Sequence, residues 1–287
     1  MSASDTLIDL EFERLQRMKA ALEPFSAVKA HRAFVDTWLD GFGSIEGKKD
    51  FDFRVLADFM GVRLNVRGSV EVLAPTIMEF FAIPELGESV QRRFRQSVQT
   101  LDSAETSCWI GLSTNSVDLG WSLFGGAVEP ATQWLPNNRT RASLFAWMED
   151  EGIEVLESLH MSALVPANVG LLLRPAGFDV AEQLISLQNA FSHLAVDSPR
   201  PLFDVLEAEP PNGLSLSVVL TTDGLAGAGI VCHEPSPGLV EALHDLAGLA
   251  NHAKHSQLRS TLGVEGPKRV VRAVSGGSLF VEYHLPG

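Results

Sequence analysis

Five stretches of this chain repeat one pattern, and that pattern leaves few folds open. Each is a strand, a turn and a second strand, with apolar and polar residues alternating along the arms. The clearest are LSLSVVLTTDGLAGAGIVC (214–232) and RVVRAVSGGSLFVEYHL (269–285), where Asp223-Gly224 and Gly276-Gly277 are hairpin turn pairs. Alternation alone predicts three more. These are VRLNVRGSVEVLA, with arms 62–67 and 69–74, then TSCWIGLSTNSVDLGWSLF (106–124) and LESLHMSALVPANVGLLLR (156–174). They recur at intervals of roughly fifty residues, too loosely for a repeat of identity but clearly as a repeat of pattern.

Helical spacing fills the gaps. Helices are expected at 5–24, 27–41, 76–82, 86–101, 140–152, 178–194 and 236–261. The stretch 44–52, SIEGKKDFD, reads as a polar loop, and 53–60 as a short helix leading into the first hairpin. Ten antiparallel strands with intervening helices form either an open sheet with helices on one face or a closed barrel with helices outside. Either way, the strand face that meets the helices must be apolar. Leu214, Leu216, Val218 and Leu220 form such a face, as do Leu279, Val281, Tyr283 and Leu285. The opposite face is small and polar. The expectation is an α/β (α+β) chain: a ten-stranded antiparallel β-barrel surrounded by helices, five αββα-type units, one domain over 1–287. A ten-strand barrel is wider than the eight-strand barrels that side chains can fill, so its lumen has room for a ligand.

The inward face then supplies the candidates. Arg63, Asn65, Arg67 and Glu71 point into the lumen, the two arginines about 13 Å apart along their strand. Trp109, Phe124 and Phe280 offer aromatic walls, and Ser215 and Ser217 small polar ones. Glu282 and His284 share a face and suit acid–base work, as do Asp118 and His160. Arg174 is a further strand cation; Arg269 and Arg272 have opposite parity, so the inward face of 269–274 stays open.

A net charge of −14 leaves no basic footprint for nucleic acid. No run of about 18 apolar residues suggests a membrane span, and no secretory leader is visible, so a cytoplasmic protein is expected. Cys108 and Cys232 sit in apolar runs and read as buried thiols. His252 and His255 have helical spacing but no third ligand, so no metal site is expected. The glycines of 224–229 follow a turn inside a strand and do not read as a phosphate loop.

Five such units around a polar lumen resemble the ABBA-type aromatic prenyltransferases, the PT barrel. The resemblance covers most of the chain in pattern and is best in 160–175, 214–232 and 269–287. It implies a lumen that binds an allylic diphosphate and an aromatic or peptidic acceptor, with strand cations and tyrosines receiving the diphosphate. No cofactor is implied beyond Mg²⁺ as a diphosphate companion, which no residue pattern indicates. The sequence departs from the family in one respect: its single tyrosine, Tyr283, faces outward and no lysine lies within a predicted strand. Arginines would take their place, since guanidinium binds phosphate oxygens bidentately. The same departure favours two alternatives: a diphosphate-independent cyclase or isomerase using this lumen, or a non-catalytic binder of an apolar small molecule.

Overall fold

The first and last strands of the chain pair with each other, Asp52 opposite His284 and Arg54 opposite Glu282, and this pairing closes the sheet. The computed structural model describes residues 3–22, 41, 49–80, 84–101, 106–113, 117–123, 132–154, 156–162, 168–249, 252–274 and 278–285. Among them are ten strands: β1 (Lys49–Leu56), β2 (Val62–Gly68), β3 (Thr106–Ser113), β4 (Val117–Leu123), β5 (Leu156–Ser162), β6 (Val169–Leu173), β7 (Gly213–Thr221), β8 (Gly224–His233), β9 (Arg269–Ala273) and β10 (Leu279–Leu285). Each lies beside its neighbours in sequence, and all pairs are antiparallel. Closure removes the exposed edges that an open sheet would carry.

Eight helices are described: α1 (Ala3–Leu22), α2 (Val70–Phe80), α3 (Pro84–Leu101), α4 (Arg139–Asp150), α5 (Val180–His193), α6 (Arg200–Ala208), α7 (Pro237–Leu246) and α8 (His252–Leu262). The core lies between them and the outward strand faces. Leu216, Val218, Leu220, Val281 and Trp121 are fully buried there. Phe94 of α3 stacks on Trp121 at 6.4 Å, and Trp147 of α4 donates its indole N–H to Ser186 O of α5 at 3.1 Å. Both cysteines are buried on this outward side, and burial pushes the Cys232 thiol up to about 12. No described helix is long and apolar enough to cross a membrane.

The helix starts are capped by side chains. Asn138 accepts from Arg141 N–H at 3.0 Å and donates to Thr221 O at 2.7 Å, tying α4 to the β7–β8 turn. Asp179 accepts from Glu182 N–H, while the Glu182 carboxylate accepts from Phe178 N–H, a reciprocal cap on α5. Ser236 caps α7 ahead of Pro237.

The structure corrects the sequence reading in four places. The first hairpin is β1–β2, 49–56 with 62–68, so 49–52, expected in a loop, and 53–56, expected in a helix, form a strand instead. Phe51, Phe53 and Val55 are its outward face, all fully buried. The expected second arm, 69–74, begins helix α2 instead. Ser69 Oγ accepts from Val72 N–H and Ser69 O from Leu73 N–H, and Leu73 and Ile77 are buried one turn apart. The helix expected over 236–261 is two helices. Leu249 N–H reaches back to His244 O while Gly248 turns left-handed at φ 67°, which ends α7. The helix α6 went unread. The helix expected over 27–41 lies almost wholly outside the described residues.

Candidate functional site

The inward strand faces enclose a cavity of about 570 Å³. Among the described residues, six cationic side chains line it, Arg54, Arg63, Arg67, Arg174, Lys268 and Arg269, against three carboxylates, Asp52, Glu157 and Glu282. Cations outnumber carboxylates two to one inside a chain whose net charge is −14. The lumen is thus a positive interior within an acidic protein.

The carboxylates hold the guanidinium groups in place. Glu282 on β10 is 1% exposed. It accepts from Arg54 Nε at 2.9 Å and Nη2 at 2.6 Å, and from Arg269 Nη1 at 3.4 Å. Burial alone would raise its carboxyl, but Arg54 and Arg269 outweigh that and hold it down to about 2. Asp52 on β1 accepts from Arg67 Nη2 at 2.6 Å and lies 2.8 Å from His284 Nδ1. Arg63 pairs with Asp118 of β4 at 2.9 Å, donates to Asn65 at 2.9 Å and lies 5.0 Å over the Trp109 ring. Burial lowers the Arg63 guanidinium to about 10; Asp118 opposes this and Arg54 adds to it. Three lumen guanidinium nitrogens, Arg63 Nη2, Arg67 Nε and Arg269 Nε, are buried without a hydrogen-bond partner among the described residues. An unmet buried donor is costly, so these three would gain if their side chains shifted toward an acceptor-rich ligand.

A second group sits on β5, β7 and β8. Arg174 donates to Glu157 at 3.0 Å, and Ser215 Oγ lies 2.9 Å from Glu157 and 2.7 Å from His233 Nε2. Burial lowers the His233 imidazole first, Arg269 adds to this and Glu157 opposes it. Strict alternation would aim Glu157 outward with Leu159. A register shift between Leu156 and Ser158 turns it into the lumen.

Facing these ions is an aromatic wall. The register places Trp109, Gly120, His160 and Gly170 in one row across β3, β4, β5 and β6. Each ring lies over the glycine beside it. A Cβ on Gly120 would stand 1.9 Å from Trp109 Cε2, and one on Gly170 1.9 Å from His160 Cε1. The two rings are 6.0 Å apart. Burial, then Arg63 and Arg54, hold the His160 imidazole down to about 3, so it is neutral.

The structure therefore brings together Arg63, Asn65, Arg67, Trp109, His160, Arg174, Ser217 and Glu282 as cavity lining. Asp118, His284 and Ser215 are on the same face, in contact with lining residues. Phe280 is on the inward face opposite Val271 and Leu56. Two candidates are misplaced. Glu71 is exposed in the first turn of α2, because the second arm it was assigned to is a helix. Arg272 pairs opposite Ile230 on the outward face, and Arg269 is the inward cation of β9. Phe124 lies outside the described residues. Asp52, Arg54, Glu157, His233 and Lys268 were missed as site residues. The alternation of KDFDFRVL carried the signal for the first two. Among the described residues no group of three or more His, Cys, Asp or Glu is placed to hold a metal ion.

No protein-family model matches the sequence, and no curated protein matches it. Solved structures do match by shape. One is 6-dimethylallyltryptophan synthase from Micromonospora olivasterospora in complex with DMASPP and Trp. It has a TM-score of 0.61 and 13% identity, and the match covers 97% of each chain. Another, a 6-dimethylallyl tryptophan synthase, has a TM-score of 0.61 and 12% identity, covering 98% of this chain and 96% of that one. The chain shares their fold, the prenyltransferase barrel.

Proposed function

We propose that this protein is a prenyltransferase-type enzyme, transferring an isoprenoid from an allylic diphosphate to an aromatic or peptidic acceptor in the lumen. The observation that carries this reading is the cationic excess around the cavity. A diphosphate presents clustered anionic oxygens, and Arg54, Arg63, Arg67 and Arg269 offer preorganised donors to them. Their own carboxylate partners fix the side chains in position, so little reorganisation is needed when charge develops on the leaving group. The Trp109 ring, beside Arg63, gives the allylic fragment an apolar wall whose face attracts a developing cation. The solved neighbour's complex with DMASPP and Trp is consistent with an isoprenoid donor and an aromatic acceptor here.

The test is product formation. Dimethylallyl and geranyl diphosphate are incubated with tryptophan and a panel of indoles, phenols and aromatic peptides, with and without Mg²⁺, and products are read by mass spectrometry. A mass gain of one prenyl unit, lost in Arg63→Ala/Arg67→Ala, is expected. No product with any pairing refutes the reading and returns the lumen to a diphosphate-independent ligand.

A further inference from the structure

The lumen holds several acid–base groups, and nearly all are committed to one another. Glu282, Asp52, Asp118 and Glu157 each bind a guanidinium. His284 contacts Asp52 and His233 contacts Ser215. Glu282, held between Arg54 and Arg269, is a poor proton acceptor, because accepting the proton would leave those cations uncompensated. His160 differs. It lines the cavity, its ring rests over Gly170 beside Trp109, and it makes no hydrogen bond among the described residues. The charged groups whose fields act on it are Arg63 of β2 and Arg54 of β1, both in the proposed diphosphate site. So the imidazole stands where the aromatic wall meets the anion site.

We propose that His160 is the base that takes the proton released when the acceptor ring is alkylated; this rests on the prenyl-transfer reading. The C–O bond between the allylic carbon and the diphosphate breaks, and its electron pair leaves with the diphosphate. A π pair of the acceptor ring forms the new C–C bond, which makes the attacked carbon tetrahedral and its ring cationic. The C–H pair at that carbon then returns to the ring, and the proton passes to a ring nitrogen of His160. Such a ring-cation proton is strongly acidic, so a weak base suffices, provided it is unprotonated and close. Burial, with Arg63 and Arg54 adding to it, keeps the imidazole in that form across the neutral range. The resulting imidazolium sits beside two guanidinium groups and passes its proton on to the departing diphosphate.

The experiment compares wild type with His160→Phe, which keeps a ring over Gly170, and with His160→Ala. Three quantities are read: affinity for dimethylallyl diphosphate, kcat with an aromatic acceptor, and the isotope effect with acceptor deuterated at the reacting carbon. For His160→Phe the account expects diphosphate affinity within about threefold of wild type, kcat down by about a hundredfold or more, and a primary isotope effect absent from wild type. Added imidazole restores activity to His160→Ala, a result that a purely structural role would not produce. A His160→Phe enzyme with kcat within threefold of wild type and no isotope effect overturns the assignment while leaving prenyl transfer standing. Unrescued His160→Ala overturns it equally. A wild type that makes no prenylated product overturns the transfer reading and this assignment with it.

Discussion

Replacing Glu282 by Gln removes one charge from the centre of the lumen without changing its shape, and the cost can be worked from the structure. The folded carboxyl titrates near 2, against an ordinary value of 4.5. A shift of that size corresponds to about 3 kcal/mol of stability at neutral pH, at about 1.4 kcal/mol per unit. The folded value is depressed, so the unfolded chain binds the extra proton first. The contribution is complete above about pH 5 and drains away as pH falls through the interval between the two values. Glutamine keeps an oxygen for Arg54 but leaves Arg54 and Arg269 without their counter-charge, so Glu282→Gln should lose about 3 kcal/mol at pH 7. Urea unfolding followed by tryptophan fluorescence suits the measurement, because Trp121 and Trp147 are fully buried. The gap between wild type and variant should shrink steadily from pH 5 to pH 3. A constant gap across that range would refute the claim that Arg54 and Arg269 hold this carboxyl ionised.

Two further perturbations probe the wall and the corrected first unit. Gly170→Ala places a methyl group where the His160 ring lies, so the ring must swing into the lumen. Overpacking of this kind costs about 1–3 kcal/mol, and calorimetry should show geranyl diphosphate weakened more than dimethylallyl diphosphate; equal weakening counts against a size effect. Ser69→Ala removes the side-chain acceptor at the start of α2 and should cost about 1 kcal/mol in thermal unfolding, with lumen ligand affinity unchanged. An unshifted midpoint would mean that this cap contributes nothing.

Most of the barrel was legible because its strands obey period two over a buried outer face. Leu214 to Leu220 and Leu279 to Leu285 alternate cleanly, and their polar partners do line or border the cavity. The first unit was misread for a physical reason. In KDFDFRVL the polar positions are charged, so its first half reads as a solvated loop and its second half as a helix, yet Asp52 is satisfied inside by Arg67 and His284. In SVEVL the valines suit a strand, but Val70, Leu73 and Ile77 also fit one helical face, and Ser69 decides the contest by capping. Glu157 was illegible because a bulge reverses its parity, and no local residue marks a bulge. Arg269 over Arg272 depended on register with β8 and β10, which only long-range pairing sets. His160 and Trp109 were visible as inward residues. Their shared row with Gly120 and Gly170 needed the strands aligned.

The most direct measurement is isothermal titration of dimethylallyl diphosphate and of inorganic pyrophosphate into the acceptor-free protein, at low and at physiological salt. The account predicts one site of micromolar affinity for both, weakened by salt, and weakened tenfold or more by Arg63→Ala/Arg67→Ala. Absence of heat for both ligands, or binding that the double variant retains, would contradict a diphosphate site built from the lumen arginines.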